Sequence, residues 1–122
     1  MPLHYLDFDY SEDAEGTGTF DAMASVAPAQ VAALYAEVSE LLRWAHAQFP
    51  GACGAQEDGG DWQYDLRGAL EHTTPLSMEY DAGELCLRSV ACAAGETRTT
   101  VSLSVSGSAP FCIALREAFG LD

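Results

Sequence analysis

The chain has 122 residues and a mass of 13.0 kDa, which predicts one domain over residues 1–122. Its nineteen Asp and Glu residues stand against five Arg and no Lys, so the formal net charge is −14. This charge argues against nucleic-acid binding, which needs a basic surface, and against binding to anionic membranes. The absence of lysine excludes Schiff-base chemistry and Walker-type phosphate loops. A compact monomer of this mass should expose about 6,300 Å².

The cellular location is indicated by what the sequence lacks. The N-terminus shows neither the basic nor the apolar region of a secretory signal, and no stretch is apolar enough to span a bilayer. The cysteines, Cys53, Cys86, Cys92 and Cys112, form neither a C-x-x-C pair nor a zinc-binding spacing. The three histidines are equally scattered. We therefore expect a cytoplasmic protein with reduced thiols, no metal site and no cofactor.

The first half of the chain reads as a hairpin followed by a helix. Apolar and acidic side chains alternate over 3–10, which predicts a strand, and a second strand over 17–26 follows a polar turn. A proline then begins an amphipathic helix over 28–48, whose apolar side chains recur at intervals of three and four residues. A Pro-Gly pair ends this helix, and a glycine-rich loop is predicted over 50–61.

The second half reads as four strands and a closing helix. Alternating segments begin near Trp62, Leu76, Leu85 and Val101, and the closing helix is predicted over 110–119. Each strand has one apolar and one polar face, which is typical of antiparallel sheets. We therefore expect an α+β fold: a two-layer sandwich in the order ββαββββα. Its antiparallel sheet of about five to six strands would carry both helices on one face.

The first hairpin concentrates acidic residues, and the first basic residue comes only at Arg43. Asp7, Asp9 and Asp21 are expected to share its polar face, although no register of the segment matches a calcium-binding loop. A solvated turn would also account for this composition. A negative field focused at one hairpin instead favours a basic protein partner.

Two arginines are predicted on the same polar sheet face. Arg67 and Arg88 occupy polar positions of the second-half strands, and their planar guanidinium groups suit a carboxylate or phosphate ligand. The alternative is ordinary pairing with Asp65 and Glu79, because opposite charges commonly face each other on exposed strands.

Trp44 is the third candidate. Helical spacing places it about 120° from the centre of the apolar stripe, on the polar flank of the long helix. A large aromatic at such a position favours a subunit interface, where tryptophan is enriched. The alternative is packing beneath the loop at 50–61 or beneath the first hairpin.

Three segments carry a resemblance to other proteins. They are YLDFDYSED at 5–13, GTFDAMAS at 18–25 and SVSGS at 104–108. With these segments the chain resembles small uncharacterised bacterial proteins of unknown function, and the likeness extends over most of its length. The resemblance implies no activity, ligand or catalytic residue.

The patterns favour a small acidic cytoplasmic binding or interaction module that self-associates and that carries an acidic hairpin and an exposed Trp44. A second hypothesis is an acidic inhibitor or immunity-type protein that blocks a cationic partner. A third is a small enzyme or small-molecule-binding protein that uses the polar sheet face. Its acid–base groups would be Asp7, Asp9, Arg67 and either His46 or His72. Catalytic motifs such as G-x-S-x-G and H-E-x-x-H are absent, so a non-catalytic role is favoured.

Overall fold

The computed structural model of the chain describes residues 2–51, 53–54, 60–92 and 95–121. These residues form six strands and two α-helices, and a single 3₁₀ turn at Pro28–Gln30 precedes the first helix. In chain order the elements are β1 (Asp9–Glu12), β2 (Gly18–Val26), α1 (Val31–Gln48), β3 (Trp62–Thr73), β4 (Leu76–Asp81), β5 (Cys86–Ala91), β6 (Glu96–Gly107) and α2 (Ala109–Phe119). The chain is α+β with antiparallel strand pairing, as its patterning predicts.

The strands divide between two sheets and do not form the single sheet expected. A four-stranded sheet has the order β1-β2-β6-β3, while β4 and β5 pair with each other in a separate hairpin, here termed the ribbon. The ribbon continues the β3–β6 pair outward, because the Cys92 N–H donates to the Pro75 carbonyl at 2.9 Å. It therefore extends beyond the end of the β2–β6 ladder, which stops at Val26 and Thr99.

The core lies between the helices and one face of the four-stranded sheet. Alternate residues of β2 and β6 are buried together with the inward side chains of both helices. The sheet contributes Phe20, Ala22, Ala24, Val26, Val101, Leu103 and Val105, and the helices contribute Leu34, Val38, Leu41, Ala45, Phe111, Leu115 and Phe119. Full burial of a Val, Leu or Phe side chain stabilises the fold by roughly 1.5–3 kcal/mol. The apolar side chains at alternate positions, from which β2 and β6 are predicted, are thus the ones that form the buried face of the sheet.

Trp62 anchors the start of β3 beneath α2. Its ring stacks on Phe111, with the planes within 1° of parallel and the centroids 5.5 Å apart. Gly107, which lies opposite Trp62 in the ladder, makes this approach possible, since a Cβ there would come within 2.5 Å of the Phe111 ring. All other residues of β3 are exposed, so Trp62 is the only buried residue of this strand.

The first strand is shorter than the predicted one over 3–10. Residues 4–6 approach α1 instead, where the carboxylate of Glu37 accepts their three backbone N–H groups. Glu37 supplies the acceptors that a neighbouring strand would otherwise supply, and Leu6 is buried beside it.

The other predicted boundaries agree with the structure to within about three residues, apart from the strand predicted to begin near Val101, which starts at Glu96. Part of the loop predicted over 50–61 lies outside the described residues, namely 52 and 55–59. A helix with both the length and the apolarity needed to cross a membrane is not found in the described part of the chain.

Candidate functional site

The polar face of the four-stranded sheet brings together the acidic side chains expected there. Asp9 on β1 lies opposite Asp21 on β2, which lies opposite Ser104 on β6, and Asp65 on β3 completes the row. With Asp7 these residues line an open hollow of about 660 Å³. This acidic hollow comprises Asp7, Asp9, Asp21, Asp65, Arg67, Ser102 and Ser104, and Met23 also lines it.

Negative charge dominates the acidic hollow. The Arg67 Nε donates to the Asp65 Oδ2 at 2.9 Å, and this pair is too exposed to add much stability. Asp9 and Asp21 directly face each other across the β1–β2 ladder, and like charges in that position are destabilising. The hollow therefore places four carboxylates around one guanidinium, an arrangement that suits a cationic group.

Arg88 does not share this face, which corrects the expectation for it. It lies on β5, where its guanidinium bonds to Asp81 and, at 3.4 Å, to Glu84, while Glu79 lies opposite it in the ladder. The separation follows from the division of the sheet, because β5 belongs to the ribbon and not to the four-stranded sheet.

Trp44 is half-buried, not fully exposed on a polar flank as expected. The centroid of its ring lies 5.6 Å from the ring centroid of Phe119 and 6.3 Å from that of Phe111, both on α2. The ring centroid of Phe49 is 6.4 Å away. The reason is that α2 packs along the flank of α1 that carries position 44. Trp44 thus joins the aromatic cluster between the helices, and a role for it at an interface stays a prediction.

The acid–base groups of the enzyme hypothesis are not assembled at one place. His46 packs edge-on against the buried Trp62 ring at 4.9 Å, and His72 hydrogen-bonds to Thr97 at 3.1 Å. Neither histidine lines the acidic hollow. Within the described ranges, no three His, Cys, Asp or Glu side chains are grouped so as to hold a metal ion.

Perturbed ionisation is found on the dry side of the sheet instead. Burial raises the pKa of the Cys112 thiol in the first turn of α2, and burial also raises the pKa of Tyr10. The Arg116 guanidinium lies 4.0 Å above the Tyr10 ring and opposes both shifts. The Cys112 Sγ donates to the Gly107 carbonyl at 3.5 Å, so this thiol is a packed core group.

The ribbon exposes an apolar face that was expected to be buried. Leu76, Met78 and Tyr80 on β4 and Leu87 on β5 are 55% to 64% exposed. The register sets Tyr80 opposite Leu87 on this face and the Glu79–Arg88 pair on the other. The ribbon is therefore amphipathic, and its apolar face stays exposed, since none of its described residues belongs to the core between the helices and the four-stranded sheet.

The exposed apolar side chains continue from the ribbon along β3. Within the described residues, nine of the twelve exposed large hydrophobic side chains fall between residues 64 and 90, so most of this exposure lies on β3 and the ribbon, with Val90 on the ribbon face opposite to Tyr80. The apolar stripe is defined as the even-numbered members Tyr64, Leu66, Leu70, Leu76, Met78 and Tyr80. Beside it, a groove of about 360 Å³ runs between α1 and β3, with Tyr35 and Val38 on its helical wall.

The accessible surface of the whole chain reflects this exposure. It amounts to 7801 Å², against about 6,300 Å² for a compact monomer of 13.0 kDa. The exposed ribbon contributes to this excess of roughly 1,500 Å².

Comparison with known proteins adds no family and no relative: no family model, curated protein or solved structure matches this chain.

Proposed function

We propose that the protein is a small acidic interaction module whose working form is self-associated through the apolar stripe. The observation that carries this proposal is the excess surface of roughly 1,500 Å² over a compact monomer. Each partner in a stable protein–protein interface buries about 800 Å², and partners in obligate homodimers bury more. The excess is therefore of the size that one subunit contributes to a dimer.

The instability of an isolated ribbon supports the same proposal. A two-stranded hairpin alone is marginally stable in water, and a third strand or a packed face is needed to hold it. The apolar face of the ribbon has neither within the described chain. The exposed Leu76, Met78 and Tyr80 therefore favour a form of the protein in which a further surface packs against β4 and β5.

A second copy fits this surface because one chain supplies both sides of the contact. The stripe offers apolar side chains, the groove between α1 and β3 offers an apolar recess, and β3 offers a strand edge. A two-fold arrangement uses one self-complementary patch twice, which is the commonest way in which soluble proteins associate.

Sedimentation equilibrium from micromolar to millimolar concentration tests this proposal. We expect wild-type protein to dimerise and the variant Leu66→Ser/Leu70→Ser, which changes the β3 part of the stripe, to be monomeric with unchanged helix content. The matched control is Met23→Ser/Ile113→Ser, which removes comparably exposed apolar side chains outside the stripe and should still dimerise. A wild-type chain that stays monomeric throughout would refute self-association.

The acidic hollow supports a second candidate function, the binding of a cationic partner. The observation in its favour is the like-charged pair Asp9–Asp21, which a bound cation would relieve. Binding of a labelled hexa-arginine peptide, measured by fluorescence anisotropy, tests this candidate. The variant Asp7→Asn/Asp9→Asn/Asp21→Asn should bind the peptide more weakly than wild type. The control Glu12→Gln/Asp13→Asn/Glu15→Gln has the same net charge but leaves the hollow intact. If the two variants bind hexa-arginine equally, net charge and not the acidic hollow accounts for the binding.

A further inference from the structure

The outer edge of β3 is open along most of its length. β3 is the last strand of the four-stranded sheet, and its inner edge pairs with β6 over all twelve residues. On the outer edge, a bridge to Cys53 occupies Trp62 only. From Gln63 to Thr73 no described residue pairs with this edge, and the strand contains no proline that would block pairing.

We propose that two copies join by antiparallel pairing of β3 with β3 of the second copy, about a two-fold axis at Leu66. Pairing runs from Gln63 to Ala69 in each copy, because Leu70 would meet Trp62 of the second copy, whose edge the bridge to Cys53 occupies. The result is one eight-stranded sheet. This inference rests on the proposed self-association and specifies how it is built. The axis stands perpendicular to the sheet, so the helices of both copies lie on one face and both acidic hollows on the other.

Charge selects this register. With the axis at Leu66, the residue numbers of any two facing residues sum to twice 66. Asp65 therefore faces Arg67 of the second copy, and Arg67 faces Asp65 of the second copy. Both pairs are then favourable, because unlike charges directly opposite on neighbouring strands attract. In the single chain Arg67 bonds to Asp65 of its own strand, and both side chains are exposed.

Neighbouring registers oppose like charges. An axis at Asp65 or at Arg67 sets that residue against itself, and an axis at Gly68 sets Asp65 against Glu71. Each of these contacts is destabilising. An axis at Ala69 does pair Arg67 with Glu71, but it places the apolar Leu66 against His72, whose ring already bonds to Thr97.

The apolar side chains also match in the chosen register. Leu66 meets Leu66 of the second copy, and Tyr64 lies over its Gly68, where the missing side chain leaves room for a ring. Tyr64 and Leu66 are 42% and 44% exposed in the single chain. Pairing β3 with its copy would therefore cover the inner part of the apolar stripe and satisfy the open backbone groups of the edge.

Charge exchange tests the register. In Asp65→Arg both interface pairs become Arg–Arg, and in Arg67→Asp both become Asp–Asp, so each variant alone should self-associate about tenfold more weakly than wild type. Mixed in equal amounts, the two variants restore unlike pairs and should form a heterodimer of about wild-type affinity, measured by sedimentation with one partner labelled. Both side chains are exposed, so both variants are expected to fold, which circular dichroism checks.

A cysteine cross-link tests the same register without changing charge. Directly opposite residues have Cβ atoms about 4.5–5.5 Å apart, and a small backbone movement brings them to the roughly 3.5–4.5 Å of a disulfide. In a background with Cys53, Cys86 and Cys92 changed to serine, Leu66→Cys should therefore form a covalent dimer under mild oxidation. Leu70→Cys is the control, because its counterpart in the second copy lies eight residues along the ladder, roughly 26 Å away.

The outcomes separate this inference from the proposed function. A wild-type chain that dimerises, with Asp65→Arg and Arg67→Asp dimerising equally well, overturns the pairing and leaves self-association standing. A dimer in which Leu66→Cys cross-links no faster than Leu70→Cys overturns it as well. A wild-type monomer overturns both proposals together.

Discussion

The Glu37 carboxylate accepts the backbone N–H of Leu6 at 2.8 Å, and the same oxygen accepts the N–H of Tyr5 at 3.0 Å. The other carboxylate oxygen accepts the N–H of His4. A helix side chain thus fixes a segment of irregular backbone, and in doing so it buries Leu6 against the core. Hydrogen bonds to a charged acceptor are stronger than those between neutral groups.

Removing this carboxylate should destabilise the protein substantially. We expect Glu37→Ala to lower the free energy of unfolding by about 2–4 kcal/mol, because three N–H groups at a largely buried site lose their acceptor. Urea denaturation measures the change. Glu40→Gln, an exposed position on the same helix, serves as the control and should stay within about 0.5 kcal/mol of wild type. A Glu37→Ala variant as stable as the control would show that water replaces the carboxylate at no cost.

The stack of Phe111 on Trp62 should be a second centre of stability. Phe111→Ala removes a fully buried ring that contacts Trp62, Trp44 and Phe49, and it should cost about 3–5 kcal/mol. The tryptophan emission should shift to the red as water reaches Trp62. Ile113→Ala, an exposed position on the same helix, should leave stability and emission unchanged. Equal stability of the two variants would contradict the anchoring of β3 beneath α2.

The helices and the four-stranded sheet could be predicted from sequence because the side-chain pattern of each element shows which of its faces is buried. β2, and β6 from Val101 onward, alternate, and α1 repeats its apolar side chains every three or four residues, so each pattern identifies the buried face without knowledge of neighbours. The acidic hollow was predictable for a similar reason. Asp9 and Asp21 are joined by a short turn, and adjacent strands of a hairpin bring their polar faces together.

The ribbon could not be predicted by the same rule, since alternation shows that a face is apolar but not what covers it. A length comparison would have given the signal. α1 has 18 residues and α2 has 11, so they extend about 27 Å and 17 Å. The chain from residue 62 to 81 spans roughly 66 Å as extended strand. Helices of these lengths leave part of such a pair uncovered, and the uncovered part is the apolar stripe.

The misplacement of Trp44 has a different cause. Its angle on α1 follows from the sequence, but whether that flank meets solvent depends on where α2 packs. That packing is fixed by Phe111 and Phe119, which lie far along the chain from α1. Arg88 was misplaced because its strand leaves the sheet, which the local pattern of β5 does not indicate.

The buried thiol of Cys112 should make stability fall in alkaline solution. Burial raises its pKa above the ordinary value of 9.0, so the native state keeps the thiol protonated while the unfolded chain ionises. The stabilisation from this group is complete below pH 9.0 and is lost as the pH rises from there toward the native pKa. The free energy of unfolding, measured with urea, should therefore fall more steeply over this pH range for wild type than for Cys112→Ala. Because Cys112 contributes to the raised pKa of Tyr10, both proteins are compared in a Tyr10→Phe background, which removes the tyrosine titration from both curves. Parallel curves in that background would assign no role to the thiol.

Self-association should strengthen as salt is added. Each copy carries a formal charge of −14, so two copies repel each other over distances longer than an ion pair. The Debye length is about 8 Å at physiological ionic strength and about 3 Å at 1 M, so added salt removes this repulsion while apolar contacts in the stripe persist. We expect the dimer dissociation constant, measured by sedimentation equilibrium, to fall several-fold between low and high salt. Binding of hexa-arginine to the acidic hollow should change in the opposite direction, because there salt screens an attraction. A dimer that weakens with salt would show that ion pairs, and not the apolar stripe, hold the copies together.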